Sequence, residues 1–302
     1  MMIVFGQVFL LLLFGSVGYL LAKTKIADSG QTKLLSCLCL YVFLPCNVFK
    51  TFAGRFTPEY LAQKYVLVLG AVVIVAVLAL VAIPLSRLLT KHGYQQKVYH
   101  YSLTIPNFGY IGYALAEGIF GGETLLDVMM FAIPLSAYTY TIGYCMLTNS
   151  KVTVKRLANP VTIAMVLGAA VGLAGIKMPA IVNTFLGNAS GCMAPVSMLL
   201  TGMVISEYAM RDMLGRWQVY FVTAMRLLVI PCVVGLVLKL LRLDVLLLPA
   251  IMMLAMPCGM NTIIFPKLMG EDCKAGASMA FVSSVLCCLT IPLCLLLFGV
   301  QV

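Results

Sequence analysis

From Val66 to Ser86 the chain runs for 21 residues without a charged side chain. A bilayer's hydrocarbon core is crossed by about 20 mostly apolar residues in a helix. Lipid offers backbone amides no hydrogen-bond partner, so such a run must satisfy them internally. Val229 to Leu238 is a second uncharged run. Hydrophobic residues make up 62% of the 302 positions and charged ones 10%, against about 25% charged in soluble domains. The mean hydropathy is +1.06. The short alternating segments of a membrane β-barrel are absent. We therefore expect an all-α integral membrane protein with ten transmembrane helices, near residues 3–23, 32–53, 65–90, 97–120, 126–148, 160–176, 188–208, 217–240, 245–268 and 275–300. The first apolar run reads as a span and not as a removed leader.

Two of these stretches carry an unusual break. Pro106 lies in Leu103-Thr-Ile-Pro-Asn-Phe-Gly109 and Pro257 in Leu254-Ala-Met-Pro-Cys-Gly259, at an offset of 151. A proline inside a membrane helix removes a donor and clashes with the preceding turn, so polar backbone is freed where only protein or a wet cavity satisfies it. Other features recur at similar offsets: Val17-Gly18 with Val171-Gly172 at 154, and Pro45 with Pro195 at 150. Gly121-Gly122-Glu123 recurs as Gly270-Glu271. The pattern predicts two five-helix repeats, 1–148 and 160–302, joined by a short linker at 149–159. An odd number of helices inverts the second copy, so helices 4 and 9 break and cross near the midplane and a cavity can open to either side in turn.

Basic residues set the orientation. Thirteen Lys and Arg fall in loops after odd-numbered helices and six in those after even-numbered ones. Both termini are expected outside a plasma membrane, with the linker inside. The formal charge of +10 is largely this signal, and nucleic acid is not an expected partner.

The chemistry concentrates at the two breaks. A half-helix starting after Pro106 would present unpaired amides and partial positive charge roughly 14 Å deep, which suits a carboxylate or phosphate. Asn107 adds a side-chain donor, and Phe108, Gly109 and Gly112 continue that wall. Cys258, Gly259, Met260 and Asn261 form the facing element. A plain kink is the other reading of each break. Pro45, Asn47 and Pro195 either line the cavity or mark ordinary bends. Arg226, about nine residues into helix 8, either compensates an anionic substrate or pairs with Glu207. Every carboxylate falls in a loop or near a helix end, so no midplane sodium or proton site built on Asp or Glu is expected, and Glu117 and Glu207 lead as titrating candidates. Eight of the eleven cysteines lie in apolar spans and read as free thiols. His92 and His100 read as solvated residues of one basic loop. No Cys and His spacing suggests a metal, and no cofactor is expected. No catalytic constellation of Ser, His and Asp, or of paired deep carboxylates, appears.

At these residues the chain resembles the auxin efflux carrier family, which includes bacterial permeases and plant PIN-type carriers. The likeness spans nearly all 302 residues. It is carried by Ser102 through Gly112, Asn159-Pro160 leading to Leu167-Gly168, Ala194-Pro195 through Gly202, Arg226 through Pro231, and Ala255-Met-Pro257 onward through Ile291-Pro292. It implies scaffold helices 1, 2, 6 and 7, transport helices 3–5 and 8–10, crossed helices 4 and 9, and transport of a carboxylate such as a dicarboxylic or indole acid. Asn107 matches the crossover asparagine, and Pro106 and Pro257 the crossover prolines. Ala114 stands where the family often has proline. A homodimer through the scaffold is implied by the resemblance alone. The expectation is thus a secondary or facilitative carrier of a small organic anion in a lipid bilayer. The rivals are a sodium-coupled symporter of the bile-acid type and a non-transporting membrane ligand sensor.

Overall fold

The computed structural model describes residues 2–151, 158–268 and 273–300. Residues 152–157 of the expected linker and the Gly270-Glu271 pair lie outside these. Every regular element is a helix among the described residues. The chain opens with α1 (Met2–Lys23) and continues with α2 (Ser29–Leu38), a π-helical turn at Cys39–Phe43, and α3 (Leu44–Arg55). A short α4 (Pro58–Lys64) leads into α5 (Val66–Leu89). Next come α6 (Gly93–Thr104), a break, a π turn at Phe108–Gly112 and α7 (Tyr113–Phe120). The first half closes with α8 (Gly122–Tyr138), a π turn at Thr139–Gly143 and α9 (Tyr144–Thr148).

The second half holds α10 (Pro160–Leu173), α11 (Ala180–Gly191), α12 (Met193–Ser206) and α13 (Met210–Leu214). It continues through α14 (Trp217–Ala224), a π turn at Met225–Val229 and α15 (Ile230–Leu240). Then α16 (Asp244–Leu254), a second break, α17 (Asn261–Leu268) and α18 (Lys274–Leu297) complete the fold. Six continuous helices are long and apolar enough to cross a membrane among the described residues, and shorter apolar helices cover Phe9–Lys23, Pro160–Leu173 and Asp244–Leu254.

The outer surface explains why the chain needs lipid. Leu69, Val73, Leu80 and Leu88 of α5, and Leu236 and Leu240 of α15, are exposed large apolar side chains. A soluble monomer rarely exposes such a continuous apolar face. The two broken helices are different, because they sit inside. Residues from Val98 to Thr104 on α6 are mostly buried although the helix is polar, and Pro249 to Met260 are buried throughout. Protein surrounds α6, so its polarity is tolerated where lipid would not allow it.

Two pairs of helices meet backbone to backbone. α1 packs along α12, and α10 along α3. A Cβ on Gly202 would lie 1.8 Å from the Gly15 carbonyl oxygen, and one on Gly18 would lie 2.1 Å from that of Leu199. In the other pair a Cβ on Gly172 would lie 2.5 Å from the Phe56 oxygen. Main-chain atoms cannot move aside as a flexible side chain would, so only glycine permits this approach. Outside the spans, Thr57 caps α4 by accepting from the Tyr60 amide at 3.2 Å. Lys64 and the Tyr60 hydroxyl then tie α4 to Asp127 of α8 at 2.7 and 2.5 Å.

Some boundaries differ from expectation. The seventh span starts at Ala180 and not near 188, because Pro179 provides a fixed φ at its entrance. The sixth ends at Leu173, where Gly175 at φ +65° closes it with amides donating back to Val171 and Gly172. Pro45 lies within a continuing helix, whereas Pro195 follows the one-residue break at Cys192 that separates α11 from α12. Pro195 falls in the first turn of α12, where a missing donor costs nothing. Ahead of Pro45 the helix widens, with Leu44 N–H donating to Cys39 five residues back. Ahead of Pro231 it widens in the same way, from Ile230 to Met225. Wider turns make room for the ring, and the Leu227 carbonyl left without its Pro231 donor accepts from Cys294 Sγ at 3.5 Å. His100 also departs from its expected place. It is half-buried on α6, with Nε2 2.9 Å from the Tyr138 hydroxyl, because α6 begins at Gly93 and carries it inside.

Gly202→Ala should destabilise the protein by about 1–3 kcal/mol, the usual cost of forcing atoms into a filled contact. Gly54→Ala, whose added methyl would meet nothing within 4 Å, should leave the thermal midpoint unchanged or slightly raised. Thermal unfolding in detergent checks the pair, and equal midpoints would remove the close packing of α1 and α12 as a source of stability.

Candidate functional site at a double helix break

The first break follows from Pro106. The residue before a proline avoids helical backbone, and Ile105 is extended at φ −114°, ψ 123°. α6 therefore ends at Thr104. The Ser102 carbonyl loses the donor that Pro106 cannot supply, and the Leu103 and Thr104 carbonyls lose theirs because the chain has left the helix. In α16 the same logic applies around Pro257, which cannot donate to Met253 and leaves that carbonyl a long 3.4 Å contact from the Met256 amide. The two extended segments pair with each other. Pro106 faces Cys258 in an isolated antiparallel bridge, and the Asn107 amide donates to the Pro257 carbonyl at 2.8 Å. Cys258 N–H donates to Ser283 Oγ of α18 at 2.9 Å.

Arg226 takes up the orphaned carbonyls. It is wholly buried on the π turn between α14 and α15. Its Nη1 donates to Leu103 at 3.2 Å and Thr104 at 3.5 Å. Nη2 reaches Met253 and Nε reaches Met256, each at 3.5 Å. The C-terminal ends of α6 and α16 carry partial negative charge, and a single guanidinium lies between them. Arg226 is bonded to backbone and not to Glu207, so of its two readings the ion pair gives way to carbonyl contacts. Neither does it border the cavity described next.

On the opposite side of the breaks, the first turns after Pro106 and Pro257 face a cavity of about 20 Å³, room for little more than a water. Asn107, Phe108 and Gly109 border it from one break and Gly259, Met260 and Asn261 from the other. Ser136 and Tyr140 of the fifth span and Leu44 of α3 complete much of the wall. The Asn107 side chain is buried and has no hydrogen-bond partner among the described residues. Asn261 Nδ2 donates to the Tyr101 hydroxyl at 3.0 Å. No acidic side chain borders the cavity.

Several expected contributors stand elsewhere. Gly112 is packed under Met253 and Met256, where a Cβ would lie 2.9 and 3.4 Å from their side chains. The Asn107 and Cys258 amides are already used within the protein. Asn47 is one helix away, with Nδ2 3.4 Å from Glu117 Oε2 and Oδ1 buried without a partner. Glu117 and Glu207 are exposed at helix ends. Sequence reasoning missed Tyr101, Ser136, Tyr140 and Ser283. The run Ser136-Ala-Tyr-Thr-Tyr140, polar and aromatic inside an apolar span, was the available signal.

Arg226→Met should lower stability by about 3 kcal/mol or more, since buried carbonyls lose their donors and each unsatisfied group costs about 1–3 kcal/mol. Arg226→Lys should recover only part, because an ammonium cannot reach four carbonyls as a planar fork does. Unfolding midpoints of the two variants test this, and parity of Lys with wild type would show that charge alone is needed.

A family model described as a membrane transport protein matches residues 3–151 and again residues 145–295. None of the curated proteins matches the chain. The two matches together cover most of the sequence. The buried broken helices, the lipid-facing exterior and this double match make the chain a multi-pass membrane protein of the membrane transport protein family, a family of transporters that includes the auxin efflux carriers and PIN-like permeases.

Proposed function

We propose that this transporter is a secondary or facilitative carrier of small organic anions, such as dicarboxylic or indole acids, working by alternating access. The observation that carries the reading is the buried Asn107 side-chain carboxamide, without a hydrogen-bond partner among the described residues, beside two helix starts in a cavity without carboxylates. Amides at helix starts and a free side-chain donor favour a carboxylate. In this conformation the cavity is too small for such a molecule, so binding requires the surrounding helices to part.

The carrier cycle rests on ten spans in two inverted halves, 1–148 and 160–302. Supporting this, the family model matches each half in turn. The backbone contact of α1 with α12 also has a counterpart in that of α10 with α3, where Gly18 and Gly172 hold corresponding places. Helices 1, 2, 6 and 7 form the scaffold in this reading, and helices 3–5 and 8–10 the moving unit. The excess of basic residues in loops after odd-numbered helices puts both termini outside a plasma membrane. Assembly as a homodimer through the scaffold belongs to the same proposal.

Thermal-shift screening against small carboxylates identifies a working substrate, because a ligand bound to the folded state raises its stability. In proteoliposomes Asn107→Ala should then reduce apparent affinity roughly 10–100-fold while the unfolding midpoint stays near wild type, the equivalent of one lost hydrogen bond to a charged group. Unaltered flux of that substrate would exclude Asn107 from the site.

A further inference from the structure

Under the proposed orientation, six basic residues lie on the outer side, the side where such residues are scarce. Lys64 is paired with Asp127, and Lys239 lies over the Phe298 ring at 5.5 Å. Three of the remaining four, Lys50, Arg55 and Lys177, line one cavity of about 460 Å³ between the end of α3, the turn after α10 and the start of α11. No Asp or Glu lines it. The three side chains are exposed, and none is hydrogen-bonded or ion-paired among the described residues. Arg55 also borders a neighbouring cavity that contains Glu123 and Asp127, its guanidinium beside Gly122 of α8, yet is ion-paired with neither.

Helix capping does not account for these cations. None of the three side chains hydrogen-bonds a helix-end carbonyl among the described residues, and those of Phe52, Ala170 and Val171 receive backbone donors from Phe56, Ala174 and Ile176. Beside the cavity the surface turns apolar, with Ile176, Ile181 and Phe185 exposed at 57%, 77% and 61%. Three cations without an ion-pair partner among the described residues, next to an apolar flank, match an amphiphile carrying a negative head, and a small soluble anion has no use for the flank. We infer that Lys50, Arg55 and Lys177 hold the phosphate of an anionic phospholipid, with its acyl chains along α11. The phosphate diester accepts charge-assisted hydrogen bonds from the three cations, and their attraction adds to that of the apolar surface.

The test uses the full chain in phosphatidylcholine vesicles with or without a minority of phosphatidylglycerol. The anionic lipid should raise the wild-type unfolding midpoint by roughly 2–4 °C. The K50Q/R55Q/K177Q triple variant should lose that rise, and K50Q and K177Q alone should each reduce it, which covers failure of the triple variant to fold. An equal rise in the variants overturns the assignment, since the effect is then general surface charge. An equal wild-type rise from inorganic phosphate in neutral vesicles, abolished by the substitutions, also overturns it in favour of a soluble anion. Loss of transport in Asn107→Ala has no bearing on these midpoints, so this site and the carrier reading fail independently.

Discussion

The guanidinium of Arg226, buried among four backbone carbonyls, is the interaction on which the centre of the molecule depends. Breaking a helix inside a membrane exposes peptide groups that neither water nor lipid can satisfy. Pro106 and Pro257 create this problem twice, and pairing the two breaks solves only part of it. The antiparallel contact satisfies the Asn107 amide and the Pro257 carbonyl. Carbonyls at the ends of α6 and α16 remain, and Arg226 donates to both. A planar fork with five donors is suited to this arrangement, and its charge matches the negative ends of two helices. The breaks thereby acquire polarity. Their carbonyl ends are compensated at Arg226, and their amide starts face the cavity beside Asn107.

Around this centre the frame is stiff in some places and soft in others. α1 with α12, and α3 with α10, touch through main-chain atoms at glycines, contacts that do not slide without separating. The boundary between α3 and α7 is held more loosely, since the Asn47 contact with Glu117 spans 3.4 Å and leaves Asn47 Oδ1 without a partner. A lone hydrogen bond at that length is weak, whereas the long contacts of Arg226 are gathered around one fully buried charge and joined by a shorter one at 3.2 Å. In the proposed carrier cycle, a cavity with room for about one water must open for an organic anion. Weak polar contacts across such a boundary give way more readily than glycine-packed backbone, so the softness lies where the cycle needs it.

The polar groups of the core form a shell around the breaks. Tyr101 accepts from Asn261, His100 meets Tyr138, and Ser283 anchors Cys258. These contacts help make a span as polar as α6 tenable, although Ser102 Oγ stays buried without a partner among the described residues. The same shell accounts for the misplacement of His100 in the sequence reading. Lys91, His92 and Lys97 around it give the look of a basic loop, whereas residues 98–104 are enclosed by other helices.

Helical class, membrane residence and both chain breaks were legible in the amino-acid order, because apolar length and proline act locally, through the hydration of one segment and the sterics of one peptide bond. Asn107, Gly109 and Gly259 could be named for the same reason, as immediate neighbours of those prolines. Long-range assembly settled the rest. No local signal tells that Arg226 meets carbonyls from residues 103 to 256 in place of a carboxylate, that Gly112 packs under methionines, or that Lys50, Arg55 and Lys177 share one cavity. Each of these depends on which surfaces come together in the folded chain, and a side chain's hydrogen-bond partner in a dry interior is whatever polar group packing brings within about 3 Å.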